Sequence, residues 1–152
     1  MNVLRFVIAG VVVFVAFLVL QNFIVHGLIL KGAYEATADV WREDMMSKMP
    51  LMYLLTLIIS FLLVFIFHKG YEGRGLAEGL RFGFWLGLLM NLSMALGSYA
   101  AYPVPGLLAL QWFIYGMIIY LIVGVIIAAI YRPAQAAAAS GAPGVGGSEP
   151  MT

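Results

Sequence analysis

Residues 75–95 read GLAEGLRFGFWLGLLMNLSMA, and the fold follows from how this stretch is read. Glycine stands at Gly75, Gly79, Gly83 and Gly87, and the same four-residue step then reaches Asn91 and Ala95. Residues four apart share a helix face and drift by about 40° per step, so they form one smooth ridge. In water such a helix is poor, since each interior glycine costs about 1 kcal/mol relative to alanine. In a bilayer the balance changes. Every backbone group must be bonded within the segment, and close packing of small residues associates the helices. The ridge therefore predicts the packing seam of a transmembrane bundle, with Gly79, Gly83 and Gly87 against a neighbouring backbone. Near the C-terminus, Gly116, Gly124 and Ala128 make a second small-residue ridge, interrupted by Tyr120. It is either the partner of the first or a surface for a second protomer.

The composition agrees. Of 152 residues, 64% are hydrophobic and 10% charged, against about 45–50% and about 25% in soluble domains. A net charge of +1 from eight scattered basic residues argues against a nucleic-acid partner. With no cysteine there is no disulfide, thiolate metal site, iron–sulfur cluster or cysteine nucleophile. The N-terminus has one arginine and a long apolar run without a small-residue cleavage site, which reads as a retained span.

Working outward, four spans are expected, at residues 6–30, 49–67, 76–102 and 107–131. Each is long enough to cross a hydrocarbon core of about 30 Å. Residues 31–48 form a polar connection, and HKGYEGRG (68–75) a tight turn. Tyr102-Pro-Val-Pro-Gly106 breaks the chain between the last two spans. Residues 1–132 are thus one all-α, four-helix transmembrane domain. Residues 133–152, QAAAASGAPGVGGSEPMT after Pro133 and Ala134, are small-residue sequence that cannot bury a core, and a disordered tail is expected there. Four spans put both termini on one side, with Arg5, Lys69, Arg74, Arg81 and Arg132; Lys31, Arg42 and Lys48 lie opposite. Five basic residues to three place both termini, and the tail, in the cytoplasm.

Within the first connection, Tyr34, Ala38, Trp41, Met45 and Met49 recur at helical spacing, with Glu35, Asp39, Arg42 and Glu43 on the other side. This is an amphipathic interfacial segment capping the bundle, with Tyr34 and Trp41 at headgroup level. Arg42 and its acidic neighbours could alternatively gate the bundle or dock a partner. At the other end, Arg74, Glu78 and Arg81 lie on successive turns and read as a surface anchor.

Each span carries a polar stripe toward that capped end: Asn22 and His26; Tyr53, Thr56 and Ser60; Asn91 and Ser98; Gln111 and Tyr115. They lie about 6–16 Å deep at 1.5 Å per residue. Hydrocarbon offers such groups no partners, so they should turn inward together, and a cavity is one outcome. Interhelical hydrogen bonding explains them equally well without a ligand. Beyond the first turns of the third span, which hold Glu78 and Arg81, His26 is the one side chain inside a span that titrates near neutral pH. It could bond quietly to Asn22, Tyr115 or a backbone carbonyl. It could also relay a proton, bond a quinone or ligate a haem, although the other histidine, His68, lies at the opposite end. No nucleophile–base pair or metal-ligand set is visible, so no enzyme, metal or resident cofactor is expected.

At His26-Gly27 through Tyr34, Thr37 and Trp41-Arg42, and at the glycine-spaced third span with Tyr131-Arg132 after the fourth, the chain resembles small uncharacterised four-helix proteins of bacterial inner membranes. The resemblance covers about residues 5–132. It implies the four-span architecture and an inner-membrane location, and carries no activity with it. Two functions remain open. One is a non-enzymatic accessory or scaffold protein, as a homo-oligomer or the small subunit of a membrane complex. The other is a protein that binds or transports a small molecule, a quinone or a proton around His26.

Overall fold

The computed structural model describes residues 2–131, so the expected tail at 133–152 lies outside the described residues. The structure is all-α, with four helices long and apolar enough to cross a membrane: Val3–Ile29, Met45–Lys69, Leu76–Ala101 and Gly106–Ile130. They are called spans 1 to 4. The first and last described residues lie at the end carrying the 70–75 turn, called the turn end; residues 31–48 cover the opposite, loop end.

Span 1 starts as the α-helix α1, Val3–Ala16, where the Asn2 side chain accepts from the Arg5 N–H at 3.1 Å. It then continues as a π-helix over Phe17–Ile29. Thirteen residues of i→i+5 bonding far exceeds the single turn in which such helices usually occur. Leu30 closes it by donating to the Val25 carbonyl at 2.8 Å. Span 2 contains α3, Met49–Lys69, with Pro50 in its first turn, where a missing N–H costs nothing. Span 3 is built from α4, Leu76–Asn91, a π turn at Leu92–Leu96, and α5, Gly97–Ala101. Span 4 is the continuous helix α6, Gly106–Ile130.

The seam joins spans 3 and 4. A Cβ placed on Gly79 would lie 2.6 Å from the Ala128 Cβ, and one on Gly83 3.0 Å from the Leu121 Cα. From the other side, a Cβ on Gly124 would lie 2.9 Å from the Gly83 nitrogen. Here backbone meets backbone, and only glycine fits. Further along, a Cβ on Gly87 would lie 2.8 Å from the Tyr120 Cβ, and one on Gly116 2.5 Å from the Cγ of the Asn91 amide. The two ridges anticipated in the sequence are therefore partners, and Tyr120 packs over Gly87 instead of interrupting the contact.

Spans 1 and 2 pair differently. Gly10 leaves room for the Phe61 ring, which a Cβ would approach to 2.6 Å, and Phe6 meets Phe61 edge-on at 5.5 Å. Ala9, Val13, Ser60 and Val64 are fully buried in this pair. Spans 1 and 4 also pack together, so the spans stand in the order 2–1–4–3. Spans 2 and 3 meet at the turn end, where Phe67 and Phe82 stack edge-on at 5.3 Å, and leave a groove alongside it.

Candidate functional site at the loop end

The 31–48 connection is not one amphipathic helix. It breaks into α2, Lys31–Glu35, and two 3₁₀ turns, Ala38–Val40 and Met45–Lys48. The break has a local cause in Thr37, which is buried. Its hydroxyl donates to the Ala33 carbonyl at 2.9 Å and accepts from the Trp41 indole N–H at 3.1 Å. Hydroxyls that bond neighbouring backbone compete with helix continuation. The result folds Tyr34 and Trp41 inward onto Trp112 of span 4. Tyr34 lies 5.4 Å from Trp41 and 6.4 Å from Trp112, and the two indoles are 6.0 Å apart. Both aromatics thus seal the helix ends.

Tyr34 is the hub. The Trp112 indole N–H donates to its oxygen at 2.7 Å. His26 Nδ1 lies 2.5 Å from the same oxygen. Indole nitrogen only donates, so the Tyr34 oxygen accepts from Trp112, while the direction of its bond with His26 Nδ1 follows the imidazole tautomer. One phenol thereby ties span 1, the loop and span 4 together. Burial pushes the Tyr34 phenol up to about 12, with the Trp112 hydrogen bond acting in the opposite sense. The partner of His26 is therefore a loop residue, in place of the Asn22, Tyr115 or carbonyl partner anticipated from sequence.

The other stripe residues go elsewhere. Thr56 donates to the Met52 carbonyl at 2.9 Å, and Ser60 to the Thr56 carbonyl at 2.7 Å. Asn91 is buried and donates to the Gly87 carbonyl at 2.7 Å. Each bonds one turn back on its own helix. Tyr53 is 42% exposed on the outer surface of span 2. Asn22, Ser98, Gln111 and Tyr115 are half-buried. Among the described residues, no hydrogen bond joins any two of Asn22, His26, Tyr53, Thr56, Asn91, Ser98, Gln111 and Tyr115. Arg42 is exposed and pairs with Asp44 at 2.8 Å, which holds that carboxyl below its usual range.

The turn end holds what the sequence reading missed. Glu78 is 4% exposed and does not belong to a surface anchor. Its carboxylate accepts from the Glu72 N–H at 2.6 Å and the Arg74 N–H at 2.9 Å, clamping the turn onto span 3. Glu72 in turn meets Arg74 at 2.9 Å and Arg81 at 2.6 Å, and the Arg81 hydrogen bond holds its carboxyl low. The signal was available, because a carboxylate three residues into a helix reaches back to free N–H groups.

Four apolar membrane-length helices and a loop folded onto their ends define the class: an integral membrane protein with four spans. No known protein family, curated protein or solved structure matches the chain.

Proposed function

We propose that this protein is a non-catalytic accessory subunit or scaffold of a membrane complex, of the kind found in bacterial inner membranes. The observation that carries this reading is local use of the intramembrane polar groups. Thr56, Ser60 and Asn91 each bond a carbonyl one turn back on their own helix, so their hydrogen-bonding capacity is met within single helices and supplies no shared reactive centre. The test is mild purification from native membranes, followed by subunit analysis. Stoichiometric co-purifying membrane proteins, or a discrete homo-oligomer, support the reading. A monomer that carries a pigment or small metabolite contradicts it.

A second reading is favoured by one specific contact. His26 Nδ1 is bonded to Tyr34, and among the described residues no hydrogen bond of the loop-end network occupies its Nε2, a geometry suited to a quinone or a proton relay. Under that reading His26→Gln retains function across pH 5.5–8 and His26→Leu loses it; equal behaviour of the two reduces His26 to a structural tie.

The basic-residue asymmetry supports cytoplasmic termini. Because the chain has no cysteine, Ser47→Cys and Ser140→Cys can be labelled singly with an impermeant maleimide from outside intact cells. Ser47→Cys is expected to react and Ser140→Cys, which lies outside the described residues, to be protected. The opposite pattern reverses the topology.

A further inference from the structure

The loop end of span 2 begins Met45-Met46-Ser47-Lys48-Met49-Pro50-Leu51-Met52, and these residues include four of the nine methionines in the chain. Residues 53–67, which complete the apolar part of the span, hold none, although they are almost entirely apolar. Methionine is therefore gathered at one end of this helix and is not its general filler.

The backbone brings the four together. Met45–Lys48 is a 3₁₀ turn, in which side chains three apart eclipse, and α3 begins at Met49. Met46, Met49 and Met52 thus follow one another at three-residue steps along one side, and residues so spaced on a helix have Cβ atoms about 5–6 Å apart. Met45 precedes this column in the same turn. Burial does not account for the cluster: Met46 is 78% exposed, Met52 54% and Met45 48%. Nor does lipid contact account for its outer half. Asp44, Ser47 and Lys48 are exposed around it, and Asp44 pairs with Lys48 at 3.4 Å. An ion pair is costly in hydrocarbon, so this turn belongs to the polar layer.

What thioethers offer in that layer is coordination. The thioether is a neutral, polarizable donor, and soft ligands of this kind select Cu(I). Harder donors are not free beside it. Asp44 is shared by Arg42 and Lys48, and among the described residues no group of three His, Cys, Asp or Glu could hold a metal. Three rotatable bonds per methionine let exposed side chains turn onto one ion without moving the backbone.

We propose that Met45, Met46, Met49 and Met52 form a binding site for a soft monovalent cation of the Cu(I) class, held by their thioether sulfurs. The site is independent of the His26 network and of the accessory-subunit reading.

The probe is Ag(I), a soft ion that needs no reductant, added as the nitrate to full-length protein in chloride-free detergent buffer. The chain has no cysteine to compete for it. Calorimetry and methionine methyl NMR read the result. A single Ag(I) per chain is expected, shifting the methyl signals of Met45, Met46, Met49 and Met52 and leaving those of Met90, Met94 and Met117 in place. The triple variant Met46→Leu/Met49→Leu/Met52→Leu keeps the apolar volume and should lose this binding. Met90→Leu/Met94→Leu, which removes another exposed pair four residues apart, should keep it. Thioethers release no proton on binding, so the affinities at pH 5 and pH 7 should agree within about twofold. The wild-type methyl shifts decide the matter even if the triple variant does not fold. Overturning results are no Ag(I) binding by the wild type, equal shifts at Met90, Met94 or Met117, binding that persists in a folded triple variant, or a loss of about tenfold or more at pH 5.

Discussion

Spans 3 and 4 approach until backbone touches backbone, whereas spans 2 and 3, joined by six residues, part to leave a groove. Sequence adjacency does not decide which membrane helices pair. A short turn only limits how far two ends can separate, and dispersion contact along the whole length does the rest. Gly79, Gly83, Gly87 and Gly124 provide that contact between spans 3 and 4, where large side chains would hold the axes apart. The faces of spans 2 and 3 toward the groove carry Ile66, Phe82, Leu86 and Leu89, and these side chains prevent the same approach.

The contrast can be broken most forcefully at the seam. Gly83→Leu or Gly87→Leu should destabilise the protein by more than the roughly 1–3 kcal/mol of ordinary overpacking, because the backbone facing Gly83 and the Tyr120 Cβ facing Gly87 have no rotamer through which to yield. Thermal unfolding and elution volume in detergent measure this, and wild-type values for both variants would show that the ridge faces lipid. Filling the groove is the complementary experiment, and Leu89→Phe is expected to change stability by less than about 0.5 kcal/mol. A large loss there would mean that spans 2 and 3 pack as tightly as 3 and 4.

Between these extremes lies the loop-end cap. Tyr34→Phe strands both the Trp112 indole N–H and the His26 ring, and should cost about 1–3 kcal/mol. Combined with Trp112→Phe, the loss should be less than the sum of the two single losses, because both variants delete the same bond. Additive losses would separate Trp112 from the hub. A smaller effect concerns pH. With the folded phenol raised to about 12 from an ordinary value near 10, the contribution of the Tyr34 cap to stability is intact below about pH 10 and disappears as pH rises through about 12. The phenolate absorbance difference between wild type and Tyr34→Phe should therefore appear near pH 12; a difference centred near pH 10 would mean a solvated phenol.

These regions also differ in how far the sequence discloses them. The spans and the seam are local in pattern: twenty-odd apolar residues and a four-residue glycine step carry their own geometry. The partner ridge at Gly116, Gly124 and Ala128 is visible for the same reason. The cap is not local. His26, Tyr34 and Trp112 converge only because Thr37 breaks the 31–48 helix and turns the loop inward, a choice that helical spacing of Tyr34, Ala38 and Trp41 argued against. Nor does any residue pattern in Phe17–Ile29 announce thirteen residues of π-helix. The polar stripe is visible in the sequence, yet Thr56, Ser60 and Asn91 turn back to their own carbonyls, which lie within reach before any other helix does.

The account rests on what faces each glycine, and span 3 provides an internal control. Gly97 lies in the same span as Gly83, has ordinary helical dihedrals of −63° and −42°, and a Cβ there would meet no atom within 4 Å. The two substitutions Gly83→Ala and Gly97→Ala add the same methyl group to the same span, and their unfolding free energies in one detergent are the measurement to make. Gly97→Ala should be neutral or stabilise by up to about 1 kcal/mol through helix propensity, while Gly83→Ala should destabilise by at least about 1–3 kcal/mol through collision with the span 4 backbone. Equal effects, or a Gly83→Ala protein as stable as wild type, would contradict the seam.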